Sequence, residues 1–284
     1  MTKLKKLAAA LAAVMLVSNA AQAAPVPLND WVFNPVGQGF DSGKTVNEYV
    51  DANGSTFFEV DRTGGTAVAI REHGAFNLIQ ADTNGQLFPV LYPGGNVTAI
   101  YEAFGTGELG GAFRYTGGSI RFYQNPTNNQ FGTTEGIFGA NLGRLIGNVR
   151  ILDGGGELDA SGNLVGQGPK TVVAGASRGS LEKGYFFRSD GSDLADAANL
   201  RFFLPVAYTS SAGSDAVAEI ACEFAGFPGP GCDGGAYGNV PGAYTLLSVN
   251  GQLKLGEVPE PGSLALFGLA LFAAAAGQRR KRGQ

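Results

Sequence analysis

An all-β fold, an antiparallel β-sandwich or jelly-roll-like domain, is what this sequence predicts, and three observations carry the prediction. Near the end of the chain Leu247, Val249, Leu253 and Leu255 alternate with Ser248, Asn250, Gln252, Lys254 and Gly256, the period of a strand with one buried and one wet face. Short runs rich in β-branched and aromatic residues recur between glycine-rich breaks, with 45 glycines in 284 residues and no collagen period. No segment of the middle sustains an apolar stripe of helical period.

The N-terminus opens with Lys3, Lys5 and Lys6, continues with the apolar run Leu7 to Val17, and reaches the small-residue segment Ala21-Gln22-Ala23-Ala24. These are the three parts of a secretory signal peptide, residues 1–23, with cleavage after Ala23. The run is 11 residues long, well short of the ~20 that span a bilayer, so a removable leader is favoured over a permanent anchor.

Residues 24–258 then fall within the length that one all-β domain occupies. Strands are expected over Val68 to Ile70, Val97 to Phe104, Phe113 to Tyr115, Ser119 to Tyr123, Asn148 to Leu152, Thr171 to Ala174 and Arg201 to Tyr208. Turns are expected at Tyr92-Pro93-Gly94-Gly95-Asn96, Thr116-Gly117-Gly118 and Asp153-Gly154-Gly155-Gly156. The best helical candidate, Asp193 to Leu200, is only eight residues long. No repeat of fixed period is visible, which disfavours a propeller or solenoid.

The third segment, 259–284, comes after Val258 and reads Pro259-Glu260-Pro261-Gly262-Ser263, the apolar stretch Leu264 to Gly277, then Arg279-Arg280-Lys281-Arg282. Two prolines fix φ and remove N–H donors, giving an extended hinge open to a protease. The 14 uncharged residues after it are marginal for a single membrane helix, which usually takes ~17 or more. The terminal cations would stay cytoplasmic and leave the body outside.

Charge is divided unevenly along the chain. Seven of the 20 Lys and Arg lie in the two end segments, whereas all but one of the 24 acids lie between them. So acidic a body repels phosphates, which excludes nucleic acid as a partner and disfavours anionic lipid surfaces. An acidic polysaccharide would need divalent cations to bridge the two.

Cys222 and Cys232 are the only cysteines, with Gly226, Pro228, Gly229, Pro230 and Gly231 among the nine residues between them. In an oxidising compartment this spacing reads as a disulfide closing a turn-rich loop. A zinc site is the weaker alternative, because His73 is the only histidine.

Several patterns tempt a catalytic reading. Gly175-Ala176-Ser177-Arg178-Gly179 matches the nucleophile-elbow spacing, but Ser180-Leu181-Glu182-Lys183-Gly184 is a poor helix to come after it, and His73 lies about a hundred residues upstream. Gly105 to Gly110 matches the dinucleotide fingerprint, yet a strand pattern and not a helix resumes after it. His73 stands alone as a base, and nothing in the spacing of Glu102, Glu108 and Glu135 selects a carboxylate pair. Asp82 beside Asn84, and the trio Asp190, Asp193 and Asp196, offer oxygens for calcium or, more plainly, solvated turns and caps. Trp31, Tyr92, Tyr101, Tyr115, Tyr123, Tyr185, Tyr208 and Tyr237 are candidates for a carbohydrate platform and, more plainly, for the core.

The succession of Pro259-Glu260-Pro261, Gly262-Ser263, a short apolar stretch and a basic cluster resembles the PEP-CTERM sorting signal, over the last 26 residues. The resemblance implies recognition by an exosortase-type membrane protease-transpeptidase that removes the tail, in bacteria that also make exopolysaccharide. The plainer alternative is an ordinary membrane helix behind a proline hinge. Leu28-Asn29-Asp30-Trp31, Val46 to Asp51, Gly74 to Leu78, Gly110 to Phe113 and Gly184 to Phe187 resemble segments of flocculation-associated PEP-CTERM proteins, while Thr209 to Gly242 departs from that pattern.

Together the two ends, the acidic body and the resemblance predict an exported surface or extracellular matrix protein. It is anchored briefly in the inner membrane, associates with exopolysaccharide and supports flocculation or biofilm formation, with no enzyme activity, cofactor or resident metal. A calcium-assisted carbohydrate-binding module is the second expectation and an extracellular hydrolase the third.

Overall fold

A computed structural model describes residues 24–83, 86–165, 170–211 and 216–259. The expected cleavage at Ala23, residues Glu260 and Pro261 of the hinge, and the expected C-terminal membrane helix lie outside the described residues, of which exposed Pro259 is the last. Among the described residues no helix is long and apolar enough to cross a membrane. Residues 27–257 form one compact unit.

The main ring of this unit is built from eight strands: β1 (Tyr49–Gly64), β2 (Ala67–Thr83), β3 (Gly95–Glu108), β4 (Ala112–Asn125), β5 (Arg144–Glu157), β6 (Lys170–Ala176), β7 (Leu200–Ser211) and β8 (Tyr244–Glu257). Each pairs antiparallel with the next in sequence. The last returns to the first, from Tyr244↔Glu59 to Lys254↔Tyr49. The fold is therefore all-β as expected but a closed eight-stranded barrel, not a sandwich or jelly roll.

The reason lies in the glycines. Thr116-Gly117-Gly118 and Asp153 to Gly156, expected as turns, lie inside β4 and β5, so runs that read as separate short strands are single strands of 14 residues. Gly118 has φ of 133° and Gly155 of 148°. A Cβ there would come within 2.1 Å of the Glu102 carbonyl oxygen and 2.0 Å of that of Phe113, respectively. Register shifts at Phe104/Gly105 and Ile151/Asp153 accompany them. Bulges and glycine kinks of this kind coil a long strand, and coiled strands close a sheet upon itself. The exposed Phe104 ring covers its cross-strand partner Gly117.

Alternate residues of every strand point inward. In β8 these are the predicted Val249, Leu253 and Leu255, all buried, with Leu247 half-buried. One end of the barrel is plugged by a small sheet of Trp31–Phe33, Lys44–Val46 and Phe186–Phe187. Its Phe186 ring lies 5.1 Å from Phe33 and 6.4 Å from Phe202 of β7. Such aromatic pairs add ~0.5–1.5 kcal/mol beyond the area they bury.

The cysteine segment packs on the outside. Val217–Phe224 forms a π-helix, whose wide turn shows in the bond from Ala225 N to Ile220 O at 2.9 Å. Ile220 and Ala221 cover the outward Phe57, Ala75, Ile100 and Leu246, which explains why those strands are apolar on both faces. Cys222 and Cys232 are joined by a disulfide with Cα atoms 5.3 Å apart, tying the helix to the loop after it. The expected helix at Asp193 to Leu200 is only a 3-10 turn, Leu194–Asp196, with Asp193 capping Ala195 N at 2.8 Å.

Replacing both Cys222 and Cys232 by serine should cost about 2–3 kcal/mol on the chain-entropy model. The loosening should stay local, with faster amide exchange over 216–240 and unchanged exchange in β3 and β4; loss of barrel protection in step with the loop would contradict this placement.

Candidate functional site

The most unusual group in the barrel is a carboxylate in its interior. Inward alternation along β2 runs Val68, Ile70 and then Glu72, which is 2% exposed. The same alternation on β3, β4 and β7 turns Tyr101, Tyr115 and Tyr208 toward it. Tyr208 Oη donates to Glu72 Oε1 at 2.7 Å, Tyr115 Oη makes a short bond to Oε2, and Tyr101 Oη lies 3.5 Å from Oε2. No ion pair among the described residues includes Glu72. An anion buried without a cation is costly, and charge-assisted O–H donors at ~1.5–3 kcal/mol each are what offsets it here.

Burial first, and the neighbouring Glu72 charge second, hold the hydroxyls of Tyr101, Tyr115 and Tyr208 well above the ordinary phenol range. Aromatic rings enclose the cluster: Phe76 lies 6.2 Å from Tyr101, and Phe113 5.5 Å from Tyr115. At the barrel end away from the plug, Tyr208 also lines a cleft of about 390 Å³ with Phe58, Val60, Leu164, Tyr244 and Leu247. The arrangement fixes a carboxylate and three phenols in place.

The residues singled out from sequence are scattered. Ser177 is exposed at the end of β6, and its hydroxyl pairs with Ser180 Oγ at 3.0 Å, with no helix after it. His73 sits mid-strand on the outer face of β2, with Phe224 of the π-helix 5.0 Å away ring to ring. Burial, helped by Arg71 and opposed by Glu102, lowers its pKa, and its Nδ1 has no hydrogen-bond partner among the described residues. Ser177 and His73 thus form no pair. Gly105 and Gly107 belong to β3, where a Cβ would strike the facing Arg114 and Phe113, so the fingerprint spacing reflects close strand contact.

The acids have local duties. Glu102 accepts from Ser119 Oγ at 3.0 Å, Glu135 from Gln130 Nε2 at 3.2 Å, and Glu108 is exposed. Asp82 accepts the backbone N–H of Glu48 at 2.8 Å and of Tyr49 at 2.9 Å, fixing the entry into β1. Asp190 closes a turn on Ser192, Asp193 is a cap, and Asp196 pairs with Lys183 at 2.9 Å. No group of three or more His, Cys, Asp or Glu among the described residues is placed to hold a metal ion. Of the expected platform rings, Trp31, Tyr101, Tyr115 and Tyr185 are buried, and Tyr92, Tyr123, Tyr208 and Tyr237 half-buried.

Glu72 belongs to no motif and was not singled out from sequence. The signal was an acid on the inward phase of an alternating strand, matched by tyrosines on the inward phase of three others.

A phenol whose pKa is raised by folding contributes stability that is complete below the unfolded value of about 10 and is lost as pH rises toward the folded value. Titration above pH ~10 should therefore unfold the barrel, with Tyr101, Tyr115 and Tyr208 ionising only at that transition. Tyrosinate absorbance read beside circular dichroism checks this: ionisation of all nine tyrosines before any loss of structure would refute it. Glu72→Leu, which removes the shared acceptor, should cost more than about 3 kcal/mol.

Comparison with known proteins places one segment of the chain. Residues 257–281 match the model of the PEP-CTERM protein-sorting motif. No curated protein and no solved structure matches the chain. The motif implies processing by exosortase, a membrane enzyme, and export to the cell surface or the medium. The chain is thus a β-barrel protein that carries a PEP-CTERM protein-sorting motif beginning at the final residue of its last strand.

Proposed function

We propose that this protein is a structural, non-enzymatic component of the cell surface or extracellular matrix. In this reading it is held briefly in the inner membrane by its tail, cut by exosortase near Pro259-Glu260-Pro261, and retained with exopolysaccharide so that it supports flocculation or biofilm formation.

The observation that carries the reading is the sorting motif at 257–281, which begins at Glu257, the final residue of β8. Cutting beyond that point removes no barrel strand. A leader over 1–23 ending at Ala23, an acidic body and a disulfide suited to an oxidising compartment agree with export. A structural role is supported by the use of the reactive groups. Ser177 is bound to Ser180, His73 lies against Phe224, and the acids considered for calcium serve caps, turns and ion pairs. The calcium-assisted carbohydrate reading draws no comparable support.

Changing Pro259, Glu260 and Pro261 together to alanine should leave leader removal at Ala23 intact and trap the longer form in the membrane. Intact mass of membrane and secreted fractions reads the outcome, and cell aggregation in a deletion strain reads the role. A triple variant trimmed and released like wild type would overturn the processing reading. Wild-type aggregation in the deletion strain would overturn the matrix role.

A further inference from the structure

The last three residues of β8 are held differently from the rest of the strand. Through Lys254 it has β1 on one side and β7 on the other, but Lys254↔Tyr49 is the final pair with β1. Beyond it β7 continues to Leu200↔Glu257, and the only other strand against this end among the described residues is the two-residue Val26–Pro27, with Leu28 N bonded to Leu255 O at 2.9 Å. A strand end that has lost β1 and keeps only a short, exposed two-residue strand besides β7 opens readily, and Gly256 adds backbone freedom.

A side chain from outside the barrel opposes that opening. Arg188, the residue after the plug strand Phe186–Phe187, grips both oxygens of the Glu257 carboxylate, Nε to Oε2 at 3.1 Å and Nη2 to Oε1. Its Nη1 donates to Ser192 Oγ at 2.9 Å, and Ser192 in turn donates through Oγ to Asp190 Oδ1 at 2.6 Å. The backbone closes the same turn, Arg188 N to Ser192 O at 2.9 Å. With side chains 31% and 28% exposed, this is the least exposed ion pair among the described residues. Fork geometry and partial burial make it stronger than an exposed point-charge pair.

Glu257 is both the last barrel residue and the first residue of the sorting motif. We propose that the Arg188–Glu257 pair is a clamp that sets the boundary between the barrel that is kept and the segment surrendered to proteolysis, so that cutting stops at or beyond Val258. The proposal rests on the sorting reading for its biological setting. Proteases act on chain that has opened, at a rate that tracks the population of the open form when closing is fast. In trimming, water divides across the peptide bond, leaving a new carboxylate on the barrel side and an amine on the released piece. The clamp lowers the open population of 255–257 and thereby protects the strand pair next to barrel closure.

The test uses detergent-solubilised full-length protein as wild type, Arg188→Ala and Arg188→Lys, each treated with a broad-specificity protease and weighed intact. Wild-type barrel should end at or after Val258. Arg188→Ala should yield ends before Glu257 in about tenfold greater proportion, with Arg188→Lys between, since one ammonium does not reproduce the fork. Amide exchange of β3 and β4 in the same samples should be unchanged. Identical ends in wild type and Arg188→Ala overturn the clamp, as does trimming that tracks faster exchange throughout the barrel. The natural end is then read from protein exported by its host. A wild-type chain retained there through Gln284 refutes the sorting reading, while the digestion still decides the clamp.

Discussion

The pairing of β8 with β1 is the constraint on which the rest of the structure depends. An open sheet of eight long strands would leave two rows of unpaired N–H and C=O groups, and closure removes both. It also gives every strand an inside. Alternation then gathers Val68, Ile70, Phe113, Phe122, Phe202 and Leu255 into one core without any covering layer on that face. Closure is what makes the position of Glu72 interior, since four different strands bring it and its three phenols together. The plug sheet and the outer π-helix are later layers on this frame, one filling an end and the other covering an apolar patch outside.

Closure in turn depends on glycine. Gly118 and Gly155 occupy backbone conformations that side chains rarely adopt, at points where a facing carbonyl leaves no room for Cβ. The composition that first suggests many turns thus serves to bend few strands. Phe104 over Gly117 restores some of the side-chain contact that a glycine forfeits.

Much of this was legible in the residues themselves. The alternation of Leu247, Val249, Leu253 and Leu255 identified β8 and its buried face, and the expected strands all fall within observed ones. What was not legible is instructive. Glycine runs carry the same letters whether they turn a chain or kink it, so the sequence suggested short strands and a sandwich. Period-two patterning also does not say whether the first strand meets the last. The π-helix Val217–Phe224 is too short for a periodic signal, and its apolar side faces a strand surface that is itself atypically apolar. Glu72 was overlooked because an acid beside Arg71 and His73 reads as solvated surface until its phase in the strand is weighed. The tail was the reverse case, a local motif that needs no fold to be recognised.

Fold and sorting meet in one strand: β8 completes the barrel, and the motif begins at its final residue. Any processing that respected the motif would leave closure intact. The central claim is closure itself, and the outward, exposed residues Asn53 and Asn250, directly opposed in the β1–β8 register, test it. With both changed to cysteine and the native disulfide left oxidised, a short thiol cross-linker should join them within one molecule in the folded protein. Cross-linking that fails, or that occurs only between molecules, would contradict the barrel.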